Sequence, residues 1–186
     1  MHDKNKQDSI YLVTGSVQGG KTTYLSLLSE LLIEKGLKIC GFLCPGNFVA
    51  GERAGFTLQN IKNGRQVALA SALETPEWTP YKRFWFNPEA FTLGSEWIGD
   101  CLAMAPDVVI IDEVGPMELE DLGWSNVLKT MEKSAVPVQL WNVRETLIRE
   151  VMKRWGIPPA SVIRIDEVEL NQAAKQVSET VKRNVK

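Results

Sequence analysis

The sequence is poor in the residues that build metal centres and disulfide frameworks in small proteins. Its only histidine is His2, so a zinc site built on histidine side chains is not expected. Its three cysteines, Cys40, Cys44 and Cys101, are an odd and small number that does not indicate a disulfide framework. Cys40 and Cys44 lie four residues apart, which is not a typical metal or redox spacing. We predict that both are small buried apolar side chains on one face of a strand.

An excess of positive charge and long apolar runs are also lacking. The 186 residues include 21 Lys and Arg against 23 Asp and Glu, a formal net charge of −2 that does not favour nucleic-acid binding. No apolar run approaches the roughly 20 residues that span a bilayer, and the polar start MHDKNKQDS has no signal-peptide core. We therefore expect a cytoplasmic protein without nucleic-acid or membrane partners. The length indicates one domain, residues 1–186, with residues 1–8 expected to be disordered.

Apolar stretches that are typical of buried strands alternate with stretches of helical period. The strand-like stretches are SIYLVT, LKICGFLC, DVVIID, PVQLWNV and SVIRID. This alternation predicts an α/β domain, a three-layer sandwich in which helices cover both faces of a mostly parallel sheet. Asn63-Gly64 within an alternating stretch predicts a β-hairpin inserted between Gly55 and Ala70. YKRFWF predicts one further strand, and Asn87-Pro88 predicts the start of a helix.

The glycine-rich stretch GSVQGGKTT lies between the first predicted strand and the first predicted helix. Its spacing, G-x-x-x-x-G-K-[ST], is that of a P-loop, in which backbone N–H groups and a helix N-terminus hold phosphates. In such a loop Lys21 contacts the β- and γ-phosphates, and the Thr22 hydroxyl binds Mg²⁺. The predicted nucleotide-binding residues are Gly15, Ser16, Val17, Gln18, Gly19, Gly20, Lys21, Thr22 and Thr23.

Two adjacent acids end the apolar stretch VVIIDE. Asp112 ends the buried run, and we predict that it holds Mg²⁺ together with Thr22. Glu113 follows it, and a carboxylate there can take a proton from a water that attacks the γ-phosphorus. Successive side chains on a strand point to opposite sides, so the two acids are expected to have different roles. We predict two catalytic residues here: Glu113, which can take the proton from water, and Lys21, which contacts the β- and γ-phosphates.

Two arginines are placed where they can stabilise charge on a transferred phosphoryl group, the usual task of arginine in such sites. Arg53 lies in the glycine-flanked loop GERAGF, and Arg144 directly follows the strand-like stretch PVQLWNV. We predict both as catalytic candidates. Asn142, at the end of the same stretch, is a candidate sensor of the γ-phosphate.

Four stretches, GSVQGGKTT, GFLCPGNFVAGERAGFTL, FWFNPEAF and IIDEVGPMELED, cover most of residues 10–125. In these stretches the chain resembles the thermophile-type nucleoside-triphosphatases, which include the human cancer-related nucleoside-triphosphatase. The resemblance implies a compact P-loop domain, between nucleotide kinases and RecA-type ATPases in fold, that slowly hydrolyses ATP, GTP and other triphosphates with Mg²⁺. It carries over functional roles to Gly15, Gly20, Lys21, Thr22, Arg53, Asp112 and Glu113. One departure is Pro116, where many members have lysine.

Three functions are compatible with these motifs. The leading hypothesis is a magnesium-dependent nucleoside-triphosphate hydrolase with slow turnover. A nucleoside or nucleotide kinase is the first alternative, although Glu113 suits water better than a sugar hydroxyl. The second is a nucleotide-dependent adaptor in cofactor assembly, whose hydrolysis times the release of a partner. Residues 5–8 have the letters N-K-x-D, but they precede the first predicted strand, and no N-K-x-D guanine motif occurs later in the sequence. We therefore expect weak discrimination among bases.

Overall fold

The computed structural model describes residues 9–16 and 19–185, so the predictions for residues 1–8 and for Val17 and Gln18 lie outside the described residues. The strands are β1 (Ile10–Thr14), β2 (Ile39–Leu43), β3 (Gly46–Val49), β4 (Glu52–Asn60), β5 (Gln66–Ser71), β6 (Thr79–Tyr81), β7 (Phe84–Phe86), β8 (Val108–Val114), β9 (Val138–Val143) and β10 (Val162–Arg164). The α-helices are α1 (Lys21–Glu34), α2 (Pro88–Ala103), α3 (Pro116–Leu119), α4 (Ser125–Lys133), α5 (Ile148–Trp155) and α6 (Leu170–Asn184). None of these helices is long and apolar enough to cross a membrane.

The strands form one sheet in the order β10-β1-β9-β8-β2-β4-β5-β7-β6, with β3 paired to β4. The pairings from β10 to β2 are parallel, and those of β3 to β7 are antiparallel. The predicted hairpin around Asn63-Gly64 is confirmed as β4 and β5 and is the centre of a larger antiparallel extension. The prediction of one strand over Tyr81–Phe86 is wrong. The chain turns back at Lys82, where φ is 54°, and the two halves pair as β6 and β7.

Helices cover both faces of the parallel half of the sheet, as the alternation of strands and helices predicts. Along β8, Val108 and Ile110 pack with α1 and α6, whereas Val109 and Ile111 pack with α2, α4 and α5. Apolar side chains on both sides of one strand require this double cover. The α/β three-layer fold is therefore confirmed.

The helix starts near the site follow local sequence rules. The backbone at Gly20, with φ 81°, is left-handed, and α1 begins at the next residue. Glycine is the residue that adopts this conformation without a steric cost. At α2, the side chain of Asn87 accepts a hydrogen bond from the N–H of Glu89 over 3.0 Å, so the predicted cap is confirmed.

The prediction for Cys40 is wrong, because Cys40 on β2 forms a disulfide with Cys101 on α2. Both side chains are buried between the sheet and the helix, and their Cα atoms are 5.9 Å apart. The pairing depends on helix α2 crossing strand β2, 61 residues earlier in the chain, so no local spacing indicated it. Cys44 is buried and free, as predicted.

Candidate functional site

The predicted site residues meet at one edge of the sheet, where β1, β9, β8 and β2 all have their carboxyl ends. Ligands of α/β proteins bind at this edge. The P-loop follows β1, Asn142 and Arg144 lie at the end of β9, and Asp112 and Glu113 lie at the end of β8. Because β9 lies between β1 and β8, Asn142 stands between the P-loop and the two acids.

The P-loop and the start of α1 form the phosphate end of the site. The ammonium of Lys21 donates to the carbonyls of Ser16 and Gly15 over 3.0 and 3.3 Å. Burial lowers the pKa of Lys21, while the nearby carboxylates of Glu113 and Asp112 act in the opposite direction. The N-terminus of α1, which begins at Lys21, adds a partial positive charge at the same place.

A cleft of about 420 Å³ lies over this end of the sheet. Its lining includes Gly19, Gly20, Lys21, Thr22, Thr23, Arg53, Glu113, Asn142 and Arg144, all of which were predicted from the sequence. Pro45, Gly46, Phe48, Phe56, Arg83 and Phe84 also line it and were missed. Most of these come from the antiparallel strands, whose position beside the P-loop has no signal in the sequence.

Asp112 lies behind the cleft and is fully buried. Its carboxylate accepts hydrogen bonds from the Cys44 N–H over 2.8 Å, from the amide group of Asn142 and from the hydroxyl of Thr22. Burial raises the pKa of Asp112 from its ordinary value of 3.8 to about 6, with a further contribution from the adjacent charge of Glu113. Asp112 is therefore a buried acid that is held in place by three donors.

Glu113 differs from its neighbour in both backbone and exposure. Its φ is 70°, in the left-handed region that non-glycine residues rarely adopt, and the pairing of β8 with β9 shifts register between Ile111 and Val114. Its half-exposed carboxylate lines the cleft and forms an ion pair with Arg144 over 3.0 Å. Strained backbone of this kind is found often at functional sites.

Arg53 is held by two aromatic rings at the wall of the cleft. Its guanidinium lies 4.8 Å from the ring centre of Phe48 and 4.9 Å from that of Phe56. A Cβ atom on Gly46 would lie 2.3 Å from Nη1 of Arg53, so glycine at that position makes room for the guanidinium. Burial lowers the pKa of Arg53, and the charge of Glu113 opposes that effect.

The donor set beside the P-loop fits Mg²⁺. Thr22 and Asp112 supply a hydroxyl and a carboxylate in direct contact, which are the oxygen ligands that Mg²⁺ takes when phosphates complete its shell. In the described ranges, no group of three or more His, Cys, Asp or Glu side chains could hold a metal alone. The buried Oδ1 of Asn142 has no hydrogen-bond partner in the described structure, so one further oxygen is available next to Asp112.

A second buried acid, Glu118, was not among the predicted site residues, although it lies in the stretch IIDEVGPMELED. Its carboxylate accepts from the N–H of Gly115 over 2.7 Å and from that of Trp124 over 2.9 Å, and so it holds the loop between β8 and α4. Burial raises the pKa of Glu118 to about 7. The signal for it is an acid three residues after a glycine that precedes a short helix. Pro116 is the first residue of this helix.

Comparisons with known proteins identify the relatives of this chain. A profile of the NTPase family matches residues 10–156. "Nucleoside-triphosphatase THEP1" of Sulfolobus acidocaldarius is 31% identical over 68% of this chain and 72% of its own length. The protein of that name from Methanothermobacter thermautotrophicus is 36% identical over 78% of this chain and 82% of its own length. The protein of that name from Ignicoccus hospitalis is 36% identical over 58% of this chain and 60% of its own length.

Two solved structures share the fold at low sequence identity. A human cancer-related nucleoside triphosphatase superposes with a TM-score of 0.67 at 20% identity, over 93% of this chain and 97% of that one. THEP1 from Aquifex aeolicus superposes with a TM-score of 0.61 at 20% identity, over 84% of this chain and 88% of that one. The family profile covers most of the chain. The proteins of Sulfolobus acidocaldarius and Methanothermobacter thermautotrophicus are each above 30% identity and are covered over more than two thirds of their length. This chain therefore belongs to the nucleoside-triphosphatase (NTPase) family.

Proposed function

We propose that this chain hydrolyses nucleoside triphosphates to a diphosphate and phosphate, requires Mg²⁺, discriminates weakly among bases and turns over slowly. The observation that carries the proposal is one shared cleft, in which Lys21 and Thr22 lie together with Glu113 and Arg144. A phosphate-binding end and an acid–arginine pair are thus close enough to act on one triphosphate. Relatives that carry the name nucleoside-triphosphatase support the same activity.

Binding of the triphosphate is assigned to the P-loop. The N–H groups around Gly19 and Gly20 and the N-terminus of α1 can hold phosphate oxygens. Lys21 would exchange its contacts with the loop carbonyls for contacts with the β- and γ-phosphates. Thr22 and Asp112, with the phosphate oxygens, would hold Mg²⁺, which would supply positive charge against the β- and γ-phosphates.

Hydrolysis is assigned to Glu113 with the two arginines. Glu113 takes a proton from a water as the water oxygen bonds to the γ-phosphorus and the bond to the bridging oxygen breaks. The diphosphate leaves with the electron pair of that bond. Arg144 uses two N–H groups on Glu113, so other donors of its guanidinium can reach a γ-phosphate oxygen. Arg53 adds a second positive charge on the same cleft.

Weak base discrimination and slow turnover are the finer parts of the proposal. The N-K-x-D letters at residues 5–8 precede β1 in the sequence, and the described residues that line the cleft begin at Gly19. Because none of the described residues that line the cleft belongs to an N-K-x-D motif, we expect the kcat/KM values for ATP, GTP, CTP and UTP to differ by less than about a hundredfold. Intrinsic hydrolysis by P-loop proteins runs on the order of 10⁻⁴ to 10⁻² per second, so we expect basal turnover below about one per second.

Phosphate release from ATP, GTP, CTP and UTP, with Mg²⁺ and with EDTA, tests the proposal. Lys21→Ala should abolish release, whereas Lys35→Ala, at an exposed lysine beyond the other end of α1, should leave it unchanged. Release by Lys21→Ala at the wild-type rate contradicts the site. Undiminished release in EDTA contradicts the magnesium requirement, and a much larger preference for one base contradicts broad specificity.

A further inference from the structure

A second cavity adjoins the phosphate cleft beside strands β4 to β7. Its volume is about 320 Å³, at the lower end of the size of small-molecule sites. Its aromatic wall consists of Phe56, Tyr81, Phe84, Phe86, Phe91 and Trp124. Several of these rings pack against one another, with ring centres 4.7 Å apart for Phe91 and Trp124 and 6.0 Å apart for Phe86 and Phe91. We call this space the aromatic cavity; its lining suits a planar apolar ligand.

The aromatic cavity and the phosphate cleft share part of their wall. The shared residues are Phe56, Arg83, Phe84, Glu113 and Arg144. The ion pair of Glu113 with Arg144 therefore lies at the junction of the two spaces. A group that extends from the aromatic cavity toward the cleft meets this carboxylate and this guanidinium first.

The direction of phosphoryl transfer decides which ligand belongs in the aromatic cavity. In transfer from a triphosphate, the attacking and leaving oxygens lie roughly in line on opposite sides of the γ-phosphorus. In the function proposed above, the leaving diphosphate would lie on the P-loop side, next to Lys21, and Glu113 would lie on the attacking side. The nucleoside of the bound triphosphate is attached to the leaving side. The aromatic cavity, beyond Glu113, is therefore open to a second molecule rather than to the nucleoside.

The charges in the aromatic cavity favour an anion. Lys82 and Arg83 lie in its lining together with Arg144. Its two lining acids have partners already, since Glu113 pairs with Arg144 and Glu118 accepts from two backbone N–H groups. The surplus of cations is complementary to a negatively charged substituent on the ligand.

Few polar groups remain in the aromatic cavity to recognise the edge of a nucleobase. The Tyr81 hydroxyl donates to Glu120 over 2.9 Å, and both oxygens of Glu118 are engaged. A site that selects a nucleobase needs unoccupied donors and acceptors that match its edge. An aromatic ring with one anionic group fits the lining better than a nucleoside does.

We propose that the aromatic cavity binds a hydroxylated aromatic anion whose hydroxyl accepts the γ-phosphoryl group of the triphosphate. The proposal rests on the function proposed above for the phosphate cleft. The hydroxyl oxygen bonds to the γ-phosphorus, and the bond from that phosphorus to the β–γ bridging oxygen breaks. The diphosphate leaves with the electron pair, and the hydroxyl proton passes to Glu113 and then to solvent. Water in place of the acceptor gives hydrolysis.

Binding is tested with 6-hydroxynaphthalene-2-sulfonate, a fluorescent two-ring anion that carries a hydroxyl group. The matched variants are Lys82→Glu, in the aromatic cavity, and Lys175→Glu, at an exposed lysine on α6. Because a like charge repels the sulfonate, Lys82→Glu should raise the Kd about tenfold, and Lys175→Glu should not change it. Absence of binding to the wild-type protein, or an equal effect of both variants, overturns the assignment of the cavity.

Transfer is tested by measuring ADP, free phosphate and the naphthyl phosphate ester after incubation with ATP, Mg²⁺ and saturating probe. The expected result is more ADP than free phosphate, with the difference recovered as ester by mass spectrometry. ADP matched by free phosphate overturns the acceptor role, even if the probe accelerates hydrolysis. A lack of ADP formation both with and without the probe contradicts the proposed function of the phosphate cleft itself, and the acceptor role fails with it.

Discussion

The guanidinium of Arg144 donates to one carboxylate oxygen of Glu113, over 3.0 Å from Nη2 and 3.3 Å from Nε. The two residues lie at the carboxyl ends of adjacent strands, β9 and β8. Their contact holds the proposed base and a proposed charge stabiliser together at the wall of the phosphate cleft. The roles of the two residues can be separated, because a carboxylate can accept a proton from the attacking water, whereas a guanidinium only donates hydrogen bonds.

The first prediction concerns Glu113 as the base. Glu113→Gln keeps the size of the side chain but removes the proton acceptor. We expect kcat to fall about 10²- to 10⁴-fold, the usual loss for a positioned general base. Triphosphate affinity should stay close to that of the wild type, since the P-loop is unchanged. Single-turnover hydrolysis and calorimetric titration with a non-hydrolysable analogue measure the two quantities.

Glu120→Gln is the matched control for this prediction, because Glu120 is exposed and pairs with Tyr81 rather than with the cleft. Hydrolysis by Glu113→Gln at the parental rate would show that Glu113 is not the base. An equal loss of binding and of hydrolysis would instead place Glu113 among the residues that hold the triphosphate.

The second prediction concerns Arg144 as a stabiliser of the transition state. Arg144→Ala should lower kcat by about 10²- to 10³-fold, the usual cost of removing one donor to developing charge. Its KM should change much less, because the effect is confined to the transition state. Arg154→Ala is the control, since Arg154 pairs with Asp121. Steady-state kinetics measure both parameters, and an unchanged or increased kcat for Arg144→Ala refutes the assignment.

The parts of the site that were predictable from sequence are those fixed by neighbours in the chain. The P-loop spacing and the acids after VVII are local patterns in the sequence. The carboxyl ends of parallel strands lie at the same edge of a sheet, so residues that follow such strands come close together. Arg144 was predicted for the same reason, because it follows strand β9, and it lines the cleft. The family resemblance and the three-layer fold, both inferred from such local patterns, are confirmed by the family profile and by the solved structures.

The remaining features depend on contacts between distant segments. The Cys40–Cys101 disulfide needs the crossing of α2 over β2, and the aromatic cavity needs β4 to β7 to pack beside the loop after β8. The left-handed backbone of Glu113 follows from the irregular pairing of β8 with β9. Hydrophobic periodicity describes which side of an element is buried but not what covers it.

The third prediction concerns the pH dependence of stability through Asp112. Its pKa in the folded protein, about 6, is above its ordinary value of 3.8, so folding favours the protonated form. The stabilising contribution is complete below pH 3.8 and is lost as pH rises through 6. Asp112→Asn cannot ionise, and Asn142 can rotate its amide so that its unpaired Oδ1 accepts from the new side chain.

Relative to wild type, Asp112→Asn should therefore gain stability between pH 4.5 and pH 8, by up to about 2 kcal/mol. Urea unfolding at the two pH values, without nucleotide or Mg²⁺, measures the change. Asp121→Asn is the control. The ion pairs of Asp121 with Lys129 and Arg154 lower its pKa, so its contribution to the pH dependence of stability has the opposite sign to that of Asp112. A pH dependence of the Asp112→Asn variant that equals that of the wild type contradicts the prediction.

The fourth prediction concerns the disulfide between β2 and α2. A crosslink between residues 61 positions apart restricts the unfolded chain, and the chain-entropy model gives about 4 kcal/mol for a loop of that length. Urea unfolding of the wild type should shift to lower urea when dithiothreitol is added. The Cys40→Ala/Cys101→Ala variant should not respond to the reductant, whereas Cys44→Ala should respond like the wild type, because Cys44 is free. Thiol titration of the oxidised, unfolded wild-type chain should detect Cys44 alone, and titration of all three cysteines would contradict the pairing.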